Sequence, residues 1–154
     1  MLNQLLPPRL DNIYRGRQPA LWLFGIVVFI RSLQSMLIIV NGYSIARSAD
    51  GIPLETYPAA AAQTILALFA ISSLNRLLVS LVCVVVLVRY RSAISAMFAI
   101  LALGYLAGEI ILRFIPIVRV GTPPGPIVNL IMFALMIVGL ALSLWTRGDQ
   151  ATSL

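Results

Sequence analysis

Apolar and polar stretches alternate along the chain at a long period. Four of the apolar stretches reach the roughly 20 residues that a helix needs to cross the hydrocarbon core of a bilayer. They fall at 20–41, 62–88, 93–115 and 126–146. The connections between them are 42–58, a very short link around Arg89 to Ser92, and 116–125, with an N-terminal segment 1–19 and a tail 147–154. Proline and glycine punctuate this pattern. Pro116 stops the third span, Pro126 suits the first turn of the fourth, and Gly42 after Asn41 suits the exit of the first. The link after Arg89 is so short that the second and third spans are expected to form an antiparallel hairpin. The fold class this predicts is an all-α integral membrane protein, an antiparallel bundle of four transmembrane helices.

Composition agrees with that reading. Of 154 residues 60% are hydrophobic and 10% charged, and the mean hydropathy is +0.99. A soluble domain of this size could not hide so much apolar surface. All eleven basic residues are Arg, a usage expected of a GC-rich bacterial genome. The net charge of +6 does not point to nucleic acid, because the arginines are spread over connections, helix ends and membrane centres.

Their distribution instead sets an orientation. Arg9, Arg15 and Arg17 precede the first span, Arg89 and Arg91 follow the second, and Arg147 follows the fourth. On the other side Arg47 is opposed by Asp50 and Glu55, and Arg119 follows the third span. The excess of cytoplasmic arginine places both termini inside a bacterial inner membrane. Arg31 interrupts the first span, which is therefore expected to be a retained helix and not a cleaved signal.

The sequence contains no His, and its single Cys83 sits within an apolar run. The commonest metal ligand and general base are thus missing, and no intrachain disulfide can form. Neither a metal nor any other cofactor is expected, and no enzyme.

Candidate chemistry is confined to polar residues inside the spans. Arg31 and Gln34 share a face of the first helix with Ser35. Asn75 and Arg76 lie in the second, where Ser72, Arg76 and Ser80 are spaced four apart. Tyr105, Glu109 and Arg113 are four apart in the third. The fourth carries a mildly polar seam of Asn129, Met132, Met136, Gly139 and Ser143. Such residues are costly in lipid and are expected to face a shared interior. Glu109 is positioned to pair with Arg31 or Arg76 across helices, or with Arg113 on its own. Three guanidiniums and one carboxylate leave a formal +2 if Glu109 is ionised.

Gly104 and Gly108 form a small-xxx-small pair that would let a helix approach closely, first of all a neighbour in the same bundle. In outline, four short helices with a membrane-embedded Glu are similar to small multidrug transporters. Here, however, the Glu is on the third helix, not the first, and three arginines accompany it, so no family is assigned.

Two functions follow. The first is a non-enzymatic structural or accessory role, exercised through helix contacts, lipid or a membrane complex. The alternative is a small transporter or an anion- or lipid-binding protein built on the Arg/Glu cluster. Expected partners are membrane lipids, anionic ones included, a second copy of the chain or a larger complex. Nucleic acid is not among them.

Overall fold

The computed structural model of the chain describes residues 10–14 and 16–145. Arg9, Arg15, Arg147 and the tail 147–154, which entered the orientation argument, lie outside the described residues.

The described chain is all-helical. Helix α1 spans Gln18–Ser48 with Pro19 in its first turn. A 3₁₀ turn at Leu54–Thr56 leads to α2, Ala59–Arg89. A second 3₁₀ turn, Arg91–Ala93, leads to α3, Ile94–Phe114, and α4 covers Gly125–Leu144. All four helices are long and apolar enough to cross a membrane, and 28% or less of the most apolar stretch of each is buried inside the protein. The remaining apolar surface has no partner among the described residues. Lipid is the solvent that leaves it without penalty, so the molecule is a multi-pass helical membrane protein.

Local chemistry explains the helix ends. Ile115 adopts φ −126° and ψ 79° where α3 stops, as expected of a residue held out of the helical region by the following Pro116. The first helix does not end at Asn41 and Gly42. Asn41 leaves helical geometry (φ −131°, ψ 37°), which kinks the rod, and the helix resumes as far as Ser48. The polar sequence after the kink thus continues as helix where a loop from 42 was expected.

Beyond the kink the chain turns tightly through Gly51, whose φ of +69° is a left-handed conformation that favours glycine. A β-carbon there would also lie 3.0 Å from both Pro123 Cγ and the Val120 carbonyl oxygen. The two connections are tied together at this point. The Val120 N–H donates to the Gly51 carbonyl at 2.8 Å, and the Gly125 N–H donates to the Ala49 carbonyl at 2.8 Å. At the other end of the molecule the Arg17 N–H reaches the Leu142 carbonyl at 3.4 Å, so α1 and α4 run in opposite directions. Arg17 also lies over the Trp145 ring, 4.4 Å from its centroid.

Helix α1 packs along α2, and α4 packs against both α1 and α3. The expected hairpin of α2 and α3 is a hairpin in connectivity alone, because the two helices meet at few points. Aromatic contacts draw α3 elsewhere. Phe98 meets Phe24 of α1 edge-on at 5.0 Å, and Tyr105 stacks on Phe133 of α4 at 4.7 Å. The buried apolar residues accordingly form two separate clusters. One surrounds Phe24, Val27, Cys83, Ile94, Phe98 and Met136. The other is small, Ala46, Ile52 and Leu54, at the Gly51 end.

Candidate functional site

Between those two clusters lies a layer of polar residues. Depth can be counted along the helices from the contacts that fix their register. Arg31 is seven residues beyond Phe24 and Tyr105 is seven beyond Phe98. At 1.5 Å per residue both therefore sit about 10 Å from the Phe24–Phe98 contact, on one level. Leu87 of α2 lies opposite Gly25, and counting back along α2 puts the Arg76 backbone about 7 Å further toward the Gly51 end than Arg31. Glu109, one turn beyond Tyr105, is about 6 Å further in the same direction. Arg76 and Glu109 are thus level with each other on α2 and α3, the pair of helices that separate.

The side chains in this layer divide by exposure. Arg31 and Gln34 are half-buried and Ser35 is buried. Arg31 stands on the core face of α1, and its Nε is buried without a hydrogen-bond partner. Arg76, a second positive charge, stands on α2, the helix packed most closely along α1. On α2 the buried serines are Ser73 and Ser80, which donate to the Phe69 and Arg76 carbonyls at 2.9 and 3.0 Å. Ser72, Asn75 and Arg76 are exposed. On α3, Tyr105 is half-buried, whereas Glu109 and Arg113 are exposed. The seam expected on α4 faces inward over most of its length: Met132, Met136, Gly139 and Ser143 are buried, whereas Asn129 is half-buried.

The pairing expected for Glu109 is not formed with Arg31, Arg76 or Arg113. Between described residues the one ion pair is Arg47 with Glu55, at 3.0 Å and largely exposed on both sides. Glu109 instead interacts with the Tyr105 hydroxyl on its own helix. The physical reason is the divergence of α2 and α3, which keeps the carboxylate on one side of a gap and the Arg76 guanidinium on the other. The acid that Arg76 does influence is one that sequence spacing could not single out. Asp50, in the turn after α1, has its carboxyl pushed up by burial, and Arg119 and Arg76 draw it partly back down.

Gly104 and Gly108 likewise lack the intrachain contact expected of them, since a β-carbon on either would meet nothing within 4 Å. The helix-packing glycine is Gly139, whose missing side chain makes room for the Phe98 ring. Its only sequence signal was its place in the α4 seam. At the opposite end of the molecule, Ser92 in the α2–α3 turn accepts from the Asp11 N–H and donates to the Asp11 carbonyl, both at 3.0 Å, which docks the N-terminal segment there.

Among the described residues no group of three or more His, Cys, Asp or Glu comes together as a metal-binding set. Comparison with family models, curated proteins and solved structures finds no match for this chain.

Proposed function

We propose that the chain is a non-enzymatic multi-pass protein of a bacterial inner membrane. It would be an antiparallel four-helix bundle with both termini in the cytoplasm. Its role is structural or accessory, exercised through contacts with lipid and with other membrane helices. One observation carries the reading: Arg31 and Arg76 sit within membrane-length helices, and neither has an ion-pair partner among the described residues. A guanidinium in hydrocarbon costs on the order of 3 kcal/mol or more. Its counter-charge then comes from outside the chain, which makes association the protein's business. The orientation is supported by Arg17, Arg89 and Arg91 at one end of the molecule.

A second reading, a small transporter or anion-binding protein with Glu109 as a switchable counter-charge, is favoured by one feature, the open side between α2 and α3. Two measurements decide between these. Native mass spectrometry from mild detergent should find the chain with retained lipid, a second copy or a partner protein. Proteoliposomes should show no solute or proton flux that depends on Glu109, and such a flux would displace the accessory reading. Reporter fusions in the Arg89 to Ser92 link should report cytoplasm and fusions near Gly51 the periplasm. The reverse result would overturn the orientation.

A further inference from the structure

We infer that Arg31 and Arg76 together hold the phosphate of an anionic lipid, which enters sideways from the bilayer between α2 and α3. The inference rests on the reading above, that the counter-charge is external, and names its chemistry.

Four observations converge. Arg31 stands on α1 in the layer between the two apolar clusters, and its buried Nε lacks an acceptor. Arg76 stands on the closely packed neighbouring helix α2, about 7 Å further along the axis, within the reach of long side chains, so that an anion between the two like charges would be held by both. Among the described residues no carboxylate lies within ion-pair distance of either. The layer is also accessible from the side, because α2 and α3 part beyond their turn and Ser72, Asn75 and Arg76 are exposed there.

The ligand class follows from charge and geometry. Two guanidiniums offer ten N–H donors in planar forks and a charge of +2, which suits a tetrahedral phosphate better than a single carboxylate. Glu109 stands level with Arg76 across the gap, so the site discriminates by charge balance. An entering phosphate must pass the Glu109 carboxylate and compete with Asp50, the acid that Arg76 influences, so removing Glu109 should strengthen binding. The lipid source is favoured over the free ion because the entry faces hydrocarbon. The flanking helices also expose aliphatic side chains, among them Leu78 and Val79 on α2 and Leu106 and Ile110 on α3, against which acyl chains can lie.

The test uses the full chain in mild detergent, stripped of lipid and titrated with short-chain phosphatidic acid, the matching diacylglycerol and inorganic phosphate. Binding is read by native mass spectrometry and by melting temperature. Phosphatidic acid should bind and raise the melting temperature, and diacylglycerol should do neither. Arg31→Gln and Arg76→Gln should each weaken binding at least tenfold, Arg113→Gln should leave it unchanged, and Glu109→Gln should tighten it. Arg31→Lys keeps the charge and guards against misfolding of the Gln variant. It should fold and bind with intermediate affinity. If inorganic phosphate reproduces the full shift, the phosphate site stands and the free ion is its ligand. Equal binding of phosphatidic acid by the parent and the Arg31→Gln/Arg76→Gln variant, or equal binding of diacylglycerol, overturns the inference. Co-purification of an acidic membrane protein that pairs with Arg31, with no lipid phosphate bound, would overturn it too while leaving the accessory role intact.

Discussion

The Phe98 ring fills the space in which Gly139 would carry a side chain. The same ring meets Phe24 edge-on, 5.0 Å between centroids, so a single contact couples α3 to both α1 and α4. Gly139→Ala would force the ring or the helix to move, and overpacking of this kind typically costs about 1–3 kcal/mol. Its melting temperature in detergent should fall clearly. The same substitution at Gly104 or Gly108, where a β-carbon meets nothing, should be neutral or stabilise by up to about 1 kcal/mol through helix propensity. A comparable loss at all three positions would show that α3 packs on a second surface that the isolated chain does not contain.

Tyr14 buries a hydroxyl without a hydrogen-bond partner, and burial pushes its pKa up to about 12. Leaving such a group unsatisfied costs roughly 1–3 kcal/mol. Tyr14→Phe should therefore be neutral or stabilising. A clear drop in melting temperature would mean that the hydroxyl is bonded.

Asp50 gives the protein an acid-side stability signature. Burial, the largest influence, raises its carboxyl above the ordinary 3.8, so the folded chain holds a proton more readily than the unfolded one. Its desolvation penalty is fully present above the raised folded value. It is relieved as pH falls from there toward 3.8, below which both states are protonated and the gain is complete. Melting measured from pH 7 downward should show that rise, and Asp50→Asn should flatten it.

The Ser92 hydroxyl holds the N-terminal segment by two hydrogen bonds to the Asp11 backbone, beside a third from the Ser92 N–H to the Asp11 carbonyl at 3.3 Å. Ser92→Ala should lose about 1–2 kcal/mol of that local attachment. Hydrogen exchange would register it as faster exchange in residues 10–14, with the helices unchanged.

Glu109 is exposed and in no ion pair with a described arginine. Glu109→Gln should shift stability by no more than about 0.5 kcal/mol, the usual range for a surface change. A loss of several kcal/mol would reveal a buried partner for the carboxylate.

The sequence by itself determined the spans. Crossing a bilayer needs a continuous apolar length, and that is a local property, so Pro116 and Pro126 could mark an end and a start without reference to any neighbour. It also located the disturbance at Asn41, where the backbone leaves helical geometry, although not that the helix would resume. The inward seam of α4 was legible too, since Met132, Met136, Gly139 and Ser143 recur at helical spacing.

What only the tertiary structure decided is which seams meet. The short turn after Arg89 fixed the order of α2 and α3, but their separation follows from Phe98 on Gly139 and Tyr105 on Phe133, contacts between residues distant in the chain. Those contacts pull α3 toward α4, leave Gly104 and Gly108 unpacked, and hold Glu109 across a gap from Arg76. Helical spacing tells which residues share a face. The angle at which two helices part depends on side-chain volumes elsewhere, and that angle decided that the intramembrane arginines find no counter-charge among the described residues.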